Sequence, residues 1–252
     1  MKLFGKKSNF KTKFLNLDET VSTNDYLRSY TPGDKEEMTV VSANYQTGGR
    51  GQGTNKWESE EGQNLLFSIL LHPNWLAIGR QFVMSMAEAM AIKEVLDEYT
   101  DGITVKWPND IYYKDYKIGG TLIETKISSG HINDFIIGTG LNINQEVFRS
   151  DAPNPISLKM ITGKTENPEK ILKKIIEKFD ENVEILRNGG YGEIAEMYHA
   201  CIYRRDGFHK YRDKDGEFEA AFVEVEDSGR LILRDHEGVI RDYMFKEVEF
   251  II

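Results

Sequence analysis

The sequence feature that most constrains the fold of this chain is a glycine-rich segment placed directly after an apolar run. Residues 38–45 have the composition of a β-strand, and residues 48–53 then hold four glycines and one arginine, Arg50. Glycine tolerates positive φ and lets the backbone approach a ligand closely, at an entropic cost in the free chain. This pattern predicts a loop that is mobile without a ligand and orders over one.

The side chains in and after this loop suit an anionic ligand that carries a ring. Arg50 offers a planar fork of donors that fits a carboxylate or a phosphate, and Trp57 offers a flat surface for stacking. The glycine spacing matches neither a dinucleotide-binding motif nor a P-loop, which need G-x-G-x-x-G or a terminal Lys-Ser/Thr. Taken alone, the loop is explained equally well as a surface hairpin.

A second motif lies between two predicted strands, residues 103–107 and 116–124. Residues 108–110, Pro-Asn-Asp, predict a turn between them. The polar and small residues at these strand ends are Lys106, Asn109, Asp110, Lys117, Gly119 and Gly120. An ordinary hairpin with Asn-Asp as turn formers and a solvated edge lysine is the competing interpretation.

Together these segments resemble the biotin–protein ligases. The matching segments, in chain order, are 22–24 (Ser-Thr-Asn), 49–53 with Lys56 and Trp57, 106–110, 117–120 and 138–144. Order and spacing match over roughly residues 18–145, whereas the C-terminal part matches in pattern only. Several independent motifs in the right order make the resemblance specific.

The resemblance implies a two-step reaction. Biotin attacks the α-phosphate of ATP to give biotinyl-5′-AMP and pyrophosphate, and a lysine of a biotin carboxyl carrier protein then attacks the mixed anhydride and releases AMP. The default carrier is the biotin domain of acetyl-CoA carboxylase or of a related carboxylase. Both steps need neutralised negative charge and exclusion of water, and Mg²⁺ is expected with ATP, held largely by phosphates.

The resemblance also implies residue roles. Lys117 contacts the biotin carboxylate and the reacting phosphate, Arg50 clamps the same groups, and Asp110 orients or deprotonates the acceptor lysine. The implied biotin-binding residues are Ser22, Thr23, Asn24, Gln46, Gly49, Arg50, Gly51, Gln52, Lys117, Gly119, Gly120 and Gly140. The implied nucleotide-binding residues are Trp57, which covers the adenine, Lys106, Asn109 and Asn142. The metal ligands are left unassigned.

The loop departs from the family pattern at two positions. Many relatives read Gly-Arg-Gly-Arg-Arg-Gly-Arg, but here Gln52 stands at the second arginine position and Asn55 at the last. Assignments that rely on several loop arginines therefore do not transfer to this chain. How tightly the loop holds the intermediate is left open.

Two other functions compete with a biotin ligase. One is a lipoate or octanoate ligase or transferase of the same fold, and the other is a non-catalytic module that binds biotin or the carrier. Residues 106–110 and the single-arginine loop favour biotin. The presence of Lys117, Arg50 and Asp110 argues for catalysis.

The predicted fold is α+β, a mixed sheet flanked by helices of the class II synthetase-like kind, in a catalytic domain of residues 1–204. Helices are predicted near Ser22, where Ser-Thr-Asn offers N-cap side chains, at 80–99, after Pro168, and at 191–200. Strands are predicted at 14–17, 38–45 and 64–72, and three more within 103–143. Turn signals about every 10 residues from Asp206 onward predict a small SH3-like β-barrel at 205–252.

Composition narrows the class of protein further. The 252 residues carry a net charge of −9 and one cysteine, so neither a basic nucleic-acid surface nor an intrachain disulfide is expected. No run approaches the ~20 apolar residues of a membrane-spanning helix. We expect a cytoplasmic protein with no nucleic-acid or membrane partner, and a homodimer is compatible with the sequence. Because the matching segments begin near residue 20, we expect a monofunctional ligase without the winged helix of the family's repressors.

Overall fold

A computed structural model describes residues 10–33, 37–150, 152 and 154–252. Its larger part is built on a seven-stranded mixed sheet with the order β1-β2-β3-β7-β6-β5-β4. The strands are β1 (Thr12–Thr20), β2 (Met38–Gln46), β3 (Leu65–Leu71), β4 (Ile103–Lys106), β5 (Asp110–Tyr113), β6 (Tyr116–Ser128) and β7 (His131–Leu141). β1 pairs with β2 in parallel and the other neighbours are antiparallel. The predicted mixed sheet flanked by helices is therefore confirmed.

Five α-helices accompany the sheet within the described residues. They are α1 (Thr23–Ser29), α2 (Phe82–Leu96), α3 (Leu158–Thr162), α4 (Pro168–Arg187) and α5 (Tyr191–Ala200), and a 3₁₀ turn at Ile78–Arg80 precedes α2. α4 begins at Pro168 because Asn167 caps it by accepting a hydrogen bond from the Lys170 amide. Its apolar face packs on α2 and the sheet.

Helix α2 is the central helix of the core. All of its residues are described, and 13 of its 15 are buried, because the sheet, α4 and α5 all pack against it. A helix enclosed in this way is apolar on every side rather than along one stripe. Its one buried charged residue is Glu88, which is 1% exposed.

The region of residues 103–143 corrects the sequence prediction. Three strands were expected, with a single turn between 103–107 and 116–124, but the chain forms four. The turn at Pro108-Asn109 reverses the chain so that Asp110 pairs with Lys106 on β4 and with Gly120 on β6. The short strand β5 is thereby inserted between the two predicted strands.

A second, five-stranded antiparallel sheet forms the C-terminal part, consistent with the predicted small barrel. Its strands are β8 (Phe208–Asp213), β9 (Gly216–Val225), β10 (Leu231–Asp235), β11 (Ile240–Tyr243) and β12 (Glu249–Phe250), in the order β11-β10-β9-β8-β12. The predicted boundary at 204/205 falls between α5 and β8. It stays a prediction, because one continuous hydrophobic core includes residues from both sheets.

Trp107 joins the two parts. Its side chain is 2% exposed, its Nε1 donates to the Gly229 carbonyl oxygen at 2.9 Å, and its ring centroid lies 5.6 Å from that of Phe245. Phe82 of α2 also contacts Phe245. Among the described helices, none is both long and apolar enough to cross a membrane.

Candidate active site

The sequence motifs converge on one large cleft of about 1040 Å³. The glycine loop, the turn after β4, the start of β6, the middle of β7 and the end of the C-terminal sheet line it. The predicted site residues that line it are Ser22, Thr23, Asn24, Gln46, Arg50, Gly51, Gln52, Trp57, Lys106, Asn109, Asp110, Lys117, Gly120, Gly140 and Asn142. Gly49 and Gly119 do not. A Cβ on Gly119 would lie 2.3 Å from Leu141 Cδ2, in the core, and one on Gly49 would meet the Trp57 carbonyl oxygen at 2.6 Å.

One end of the cleft is a buried hydrogen-bonded corner around Thr23. The Thr23 amide and hydroxyl donate to Gln46 Oε1 at 2.7 and 3.1 Å. The Ser68 hydroxyl lies 2.7 Å from Thr23 Oγ1 and 2.6 Å from Asn24 Oδ1. Sequence reasoning missed Ser68, although it is the lone polar residue in the otherwise apolar strand Leu65–Leu71.

A helix starts at Thr23, as predicted near Ser22, but the side chains of Thr23 and Asn24 bond to the sheet rather than to the start of that helix. Ser22 precedes α1 with an extended backbone, but its side chain makes no capping hydrogen bond, so the predicted side-chain cap is wrong. Asn24 instead donates to the Leu122 carbonyl oxygen and to Glu124. A Cβ on Gly138 would lie 1.9 Å from Asn24 Oδ1, so this close approach requires glycine.

Arg50 is held by protein carboxylates. Its Nη2 donates to Asp25 Oδ1 at 2.8 Å and to Glu124 Oε2 at 3.2 Å, and Arg28 also contacts Glu124, at 2.8 Å. Burial acts to raise the pKa of Glu124, but the hydrogen bonds from Arg28 and Asn24 outweigh it and hold that pKa below its usual value. Arg50 would have to exchange these partners to hold a ligand anion.

The centre of the cleft holds the ion pair of Lys117 and Asp110, with Nζ 2.6 Å from Oδ1. Gly120 makes room for it, since a Cβ there would lie 3.1 Å from Asp110 Oδ1 and 3.2 Å from Lys117 Nζ. The Lys117 backbone is fixed by the Asn154 carbonyl oxygen and the Ile156 amide. Lys117, predicted to contact the reacting phosphate, and Asp110, predicted to orient or deprotonate the acceptor lysine, therefore stand side by side on neighbouring strands.

Trp57 lies flat on the floor of the cleft. A Cβ on Gly140 would lie 2.4 Å from its ring, and the Lys117 ammonium lies 5.9 Å from the ring centroid. The indole Nε1 is buried without a hydrogen-bond partner in the described part of the chain. In this structure the Trp57 ring therefore covers the floor at Gly140, beside Lys117.

Lys106 lies at the far end of the cleft, beside the C-terminal sheet. Its ammonium faces the rings of Tyr112 at 5.2 Å and Phe250 at 4.9 Å. Burial is the main reason that the pKa of Lys106 is lowered, and the positive charges of Lys117 and Arg204 act in the same direction. A desolvated lysine of this kind favours an anionic partner.

The two asparagines differ in what they leave free. Asn109 donates its Nδ2 to the Thr121 carbonyl oxygen, and the Thr121 amide donates back to the Asn109 carbonyl, so this residue fixes the turn. Asn142 donates to the Ile156 carbonyl oxygen at 3.1 Å, but its Oδ1 is buried with no partner among the described residues. That oxygen is an acceptor available to a ligand.

The structure adds two groups that sequence reasoning missed. Lys246, in the turn between β11 and β12, lines the cleft, and its Nζ lies 2.8 Å from where a Cβ on Gly53 would stand. The segment around Phe148, Ser150 and Asn154 lines the opposite side, anchored by Glu58, which accepts from the Arg149 and Ser150 amides. Both groups reach the cleft through long-range packing and carry no local motif.

Comparison with known proteins agrees with this geometry. Residues 17–142 match the model of the biotin/lipoate A/B protein ligase family, a span that includes the Thr23 corner, the glycine loop and the Lys117–Asp110 pair. The chain belongs to this family. The family resemblance found in the sequence is therefore confirmed.

Three relatives match nearly the whole of this chain. A biotin protein ligase from Aquifex aeolicus in complex with biotin and ATP superimposes with a TM-score of 0.79 and 26% identity, over 95% of this chain and 98% of that chain. A biotin–[acetyl-CoA-carboxylase] ligase from Paracoccus denitrificans is 27% identical over 88% of this chain and 94% of its own length. A bifunctional ligase/repressor from Bacillus subtilis is 25% identical over 90% of this chain and 70% of its own length.

Proposed function

We propose that this ligase activates biotin with ATP as biotinyl-5′-AMP and transfers it to a lysine of a biotin carboxyl carrier protein. One observation carries the proposal: a single cleft joins a buried polar corner, a central Lys117–Asp110 pair and a set of unpaired cations. The Aquifex relative bound to biotin and ATP has the same fold. The order of groups along the cleft matches the order of groups in biotinyl-5′-AMP.

The ureido head of biotin fits the Thr23 corner. A ureido group presents two N–H donors and one carbonyl acceptor. The Gln46 Oε1 atom already accepts from Thr23, which fixes the amide and leaves its Nε2 as the donor for a ligand. Ser22, whose hydroxyl caps no helix, offers a further donor or acceptor beside it.

The reacting centre is the Lys117–Asp110 pair. Lys117 neutralises the carboxylate and the α-phosphate as a carboxylate oxygen bonds to phosphorus and the bond to pyrophosphate breaks. Asp110 then orients the acceptor lysine and takes a proton from its amine. The lysine nitrogen bonds to the acyl carbon of the intermediate, and AMP leaves. The hydrogen bonds on the Lys117 backbone place its ammonium without help from the ligand.

The nucleotide lies toward the C-terminal sheet. Among the described residues five cationic side chains line the cleft: Arg50, Lys56, Lys106, Lys117 and Lys246. Arg50 and Lys117 are already in ion pairs, whereas no ion pair is seen for the other three within the described part. These three lysines are positioned to meet the triphosphate, and Asn142 Oδ1 can accept from the adenine amino group.

Magnesium enters with ATP. We expect the phosphate oxygens of ATP to supply most of its ligands. The described residues contain no cluster of three or more side chains suited to hold a metal ion. Arg50 and the glycines at 49, 51 and 53 close the loop over the intermediate. The acceptor is the carrier domain of acetyl-CoA carboxylase or a related carboxylase, in line with the Paracoccus relative's name. A homodimer, a cytoplasmic location and the absence of a nucleic-acid partner stay predictions.

The decisive experiment offers the protein ATP, Mg²⁺ and a biotin carrier domain with biotin, lipoate or octanoate in separate reactions. We expect one biotinyl group on one lysine, read by intact mass, and no product when ATP is left out. Transfer of lipoate or octanoate but not biotin would assign the protein to the lipoate branch of its family. Binding of biotin without pyrophosphate release would support a non-catalytic module instead.

A further inference from the structure

The floor of the cleft is one backbone layer thick at its centre. Gly120 on β6 and Gly140 on β7 place no side chain between the cleft and the sheet, and a Cβ on Gly120 would lie only 3.1 Å from Asp110 Oδ1. In a strand, successive side chains point to opposite faces, so Thr121 and Thr139 point away from the cleft toward α2. These two threonines pair directly across β6 and β7.

Glu88 of α2 meets both threonines from behind the floor. Its Oε1 accepts from Thr139 Oγ1 at 2.6 Å, and its Oε2 accepts from Thr121 Oγ1 at 3.2 Å. The carboxyl is 1% exposed, and burial, opposed by the two hydroxyls, raises the pKa of Glu88 to about 7. A buried carboxyl is costly where an apolar residue would pack, so its presence in an apolar helix calls for a role.

Thr121 links Glu88 to the reacting centre. Its backbone amide donates to the Asn109 carbonyl oxygen at 2.9 Å and its own carbonyl accepts from Asn109 Nδ2. The next residue, Asp110, holds Lys117 at 2.6 Å. A register shift between Ile111 and Tyr112 interrupts the pairing of β5 with β6 just beyond this point, so the turn depends on the Thr121 contacts for its position.

We propose that Glu88 is a positioning residue for adenylation, which acts through Thr121 on the turn that carries Asn109 and Asp110. It touches neither substrate nor reacting atoms. Its hydrogen bond to Thr139 anchors the carboxyl to β7, and its bond to Thr121 fixes where β6 places the turn. This inference rests on the proposed function and assigns a further residue to it.

The test compares Thr121→Val with Thr139→Val, since both remove one hydroxyl partner of Glu88. If Glu88 only stabilises the fold, the variant that loses the shorter hydrogen bond should lose more activity. That variant is Thr139→Val, which loses the 2.6 Å bond. If Glu88 positions the turn, Thr121→Val should instead lose more activity, because Thr121 and not Thr139 contacts Asn109. We expect Thr121→Val to lower kcat for biotin-dependent pyrophosphate release about tenfold, with KM for biotin nearly unchanged and a smaller effect of Thr139→Val.

Variants of Glu88 complete the test. Glu88→Gln keeps the shape and an acceptor oxygen, so it should retain most of kcat, whereas Glu88→Ala should resemble Thr121→Val. Glu94→Gln, on the same helix with its side chain partly exposed, is the matched control. A kcat for Thr139→Val equal to or below that of Thr121→Val would overturn the proposal. A wild-type protein that releases no pyrophosphate with biotin would instead overturn the proposed function.

Discussion

The two ends of the cleft differ in how completely the protein pairs its own polar groups. At the corner end, Thr23 and Ser68 are buried and bonded to each other, and Thr23 also holds Gln46. This end is formed before any ligand arrives, so binding there costs little reorganisation. Changes at this end should therefore affect both folding and biotin binding.

The end beside the C-terminal sheet is left open by comparison. Lys106 and Lys246 form no ion pair within the described part of the chain. Nearer to Lys117, the buried atoms Asn142 Oδ1 and Trp57 Nε1 have no hydrogen bond with any described residue. Buried polar atoms without partners are uncommon in folded proteins. We propose that the nucleotide completes this end, so changes there should alter ATP binding and leave stability almost intact.

The centre between the ends should show the largest effect. Lys117→Ala removes the cation that we propose neutralises the carboxylate and the α-phosphate, and the loss of one such contact should lower the adenylation rate by about 10²–10³. Pyrophosphate release measures it, with Lys126→Ala, an exposed lysine on the same strand, as control. Near-normal adenylation would show that Lys106 or another cation has the role given to Lys117.

The pH dependence of stability should distinguish Glu88, behind the floor of the cleft, from the residues at either end. Because the folded-state pKa of Glu88 is raised from 4.5 to about 7, the folded protein binds a proton that the unfolded chain releases. The associated stability is present below pH 4.5 and is lost as pH rises through 7, by about 3 kcal/mol. Urea unfolding at pH 5 and pH 8 should show this loss in the wild type and not in Glu88→Gln, and equal losses would contradict it.

Thr23→Val should test the preformed end. It removes the hydroxyl that contacts Ser68 and Gln46, at a cost of about 1 kcal/mol. The backbone amide at position 23 still donates to Gln46, and Ser68 still donates to Asn24. Biotin affinity should fall about tenfold and the melting temperature should drop with it. Thr125→Val, exposed on β6, is the control. A normal melting temperature would mean that this corner is organised by biotin rather than by the protein.

The glycine loop should behave like the open end. Residues 47–56 should gain hydrogen-exchange protection when biotinyl-5′-AMP binds, since Arg50 must leave Asp25 and Glu124 to hold it. Arg50→Gly should release the intermediate and raise labelling of lysines on a bystander protein about tenfold, and Gln52→Arg should lower it. Equal protection of the loop with and without the intermediate would show that it is not a lid.

Lys246→Ala should have the smallest effect on activity, and it should change ATP binding without changing biotin binding. An exposed charge contributes roughly 0.2–1 kcal/mol, so KM for ATP should rise about threefold while biotin affinity and melting temperature stay unchanged. Lys214→Ala, in the turn between β8 and β9, is the control. A change in biotin affinity would contradict the assignment of Lys246 to the nucleotide end.

The sequence predicted the elements whose signal is local. Strand β2, the glycine loop, α4 with its Pro168 start and the C-terminal meander all follow from patterns of a few residues. Strand β5 was missed because four residues between two turns give too short a pattern to recognise. The end of α2 was placed too far along, because a helix buried on all sides has no periodicity to mark where it stops.

The site was predictable where a motif carries it. Thr23, Lys117 and Asp110 were predicted this way, and the structure places all three in one cleft, while their roles stay predictions. Ser68, Glu88 and Lys246 were missed, because each reaches the cleft or its floor through strand pairing or packing between distant segments. The position of Arg50 against Asp25 and Glu124 was missed for the same reason, since a charge pair across 74 residues leaves no local signal.

The junction at Trp107 also bears on how the molecule comes apart. From Asp206 onward the sequence pattern changes to short strands and turns, as if a separate domain began there. Gly229 and Phe245, from beyond that point, nevertheless pack against Trp107 and Phe82. Contacts of this kind make neighbouring parts open together rather than one after the other. We therefore expect the two sheets to unfold together, and the end of the cleft that we assign to the nucleotide to persist only while the contacts between the sheets do.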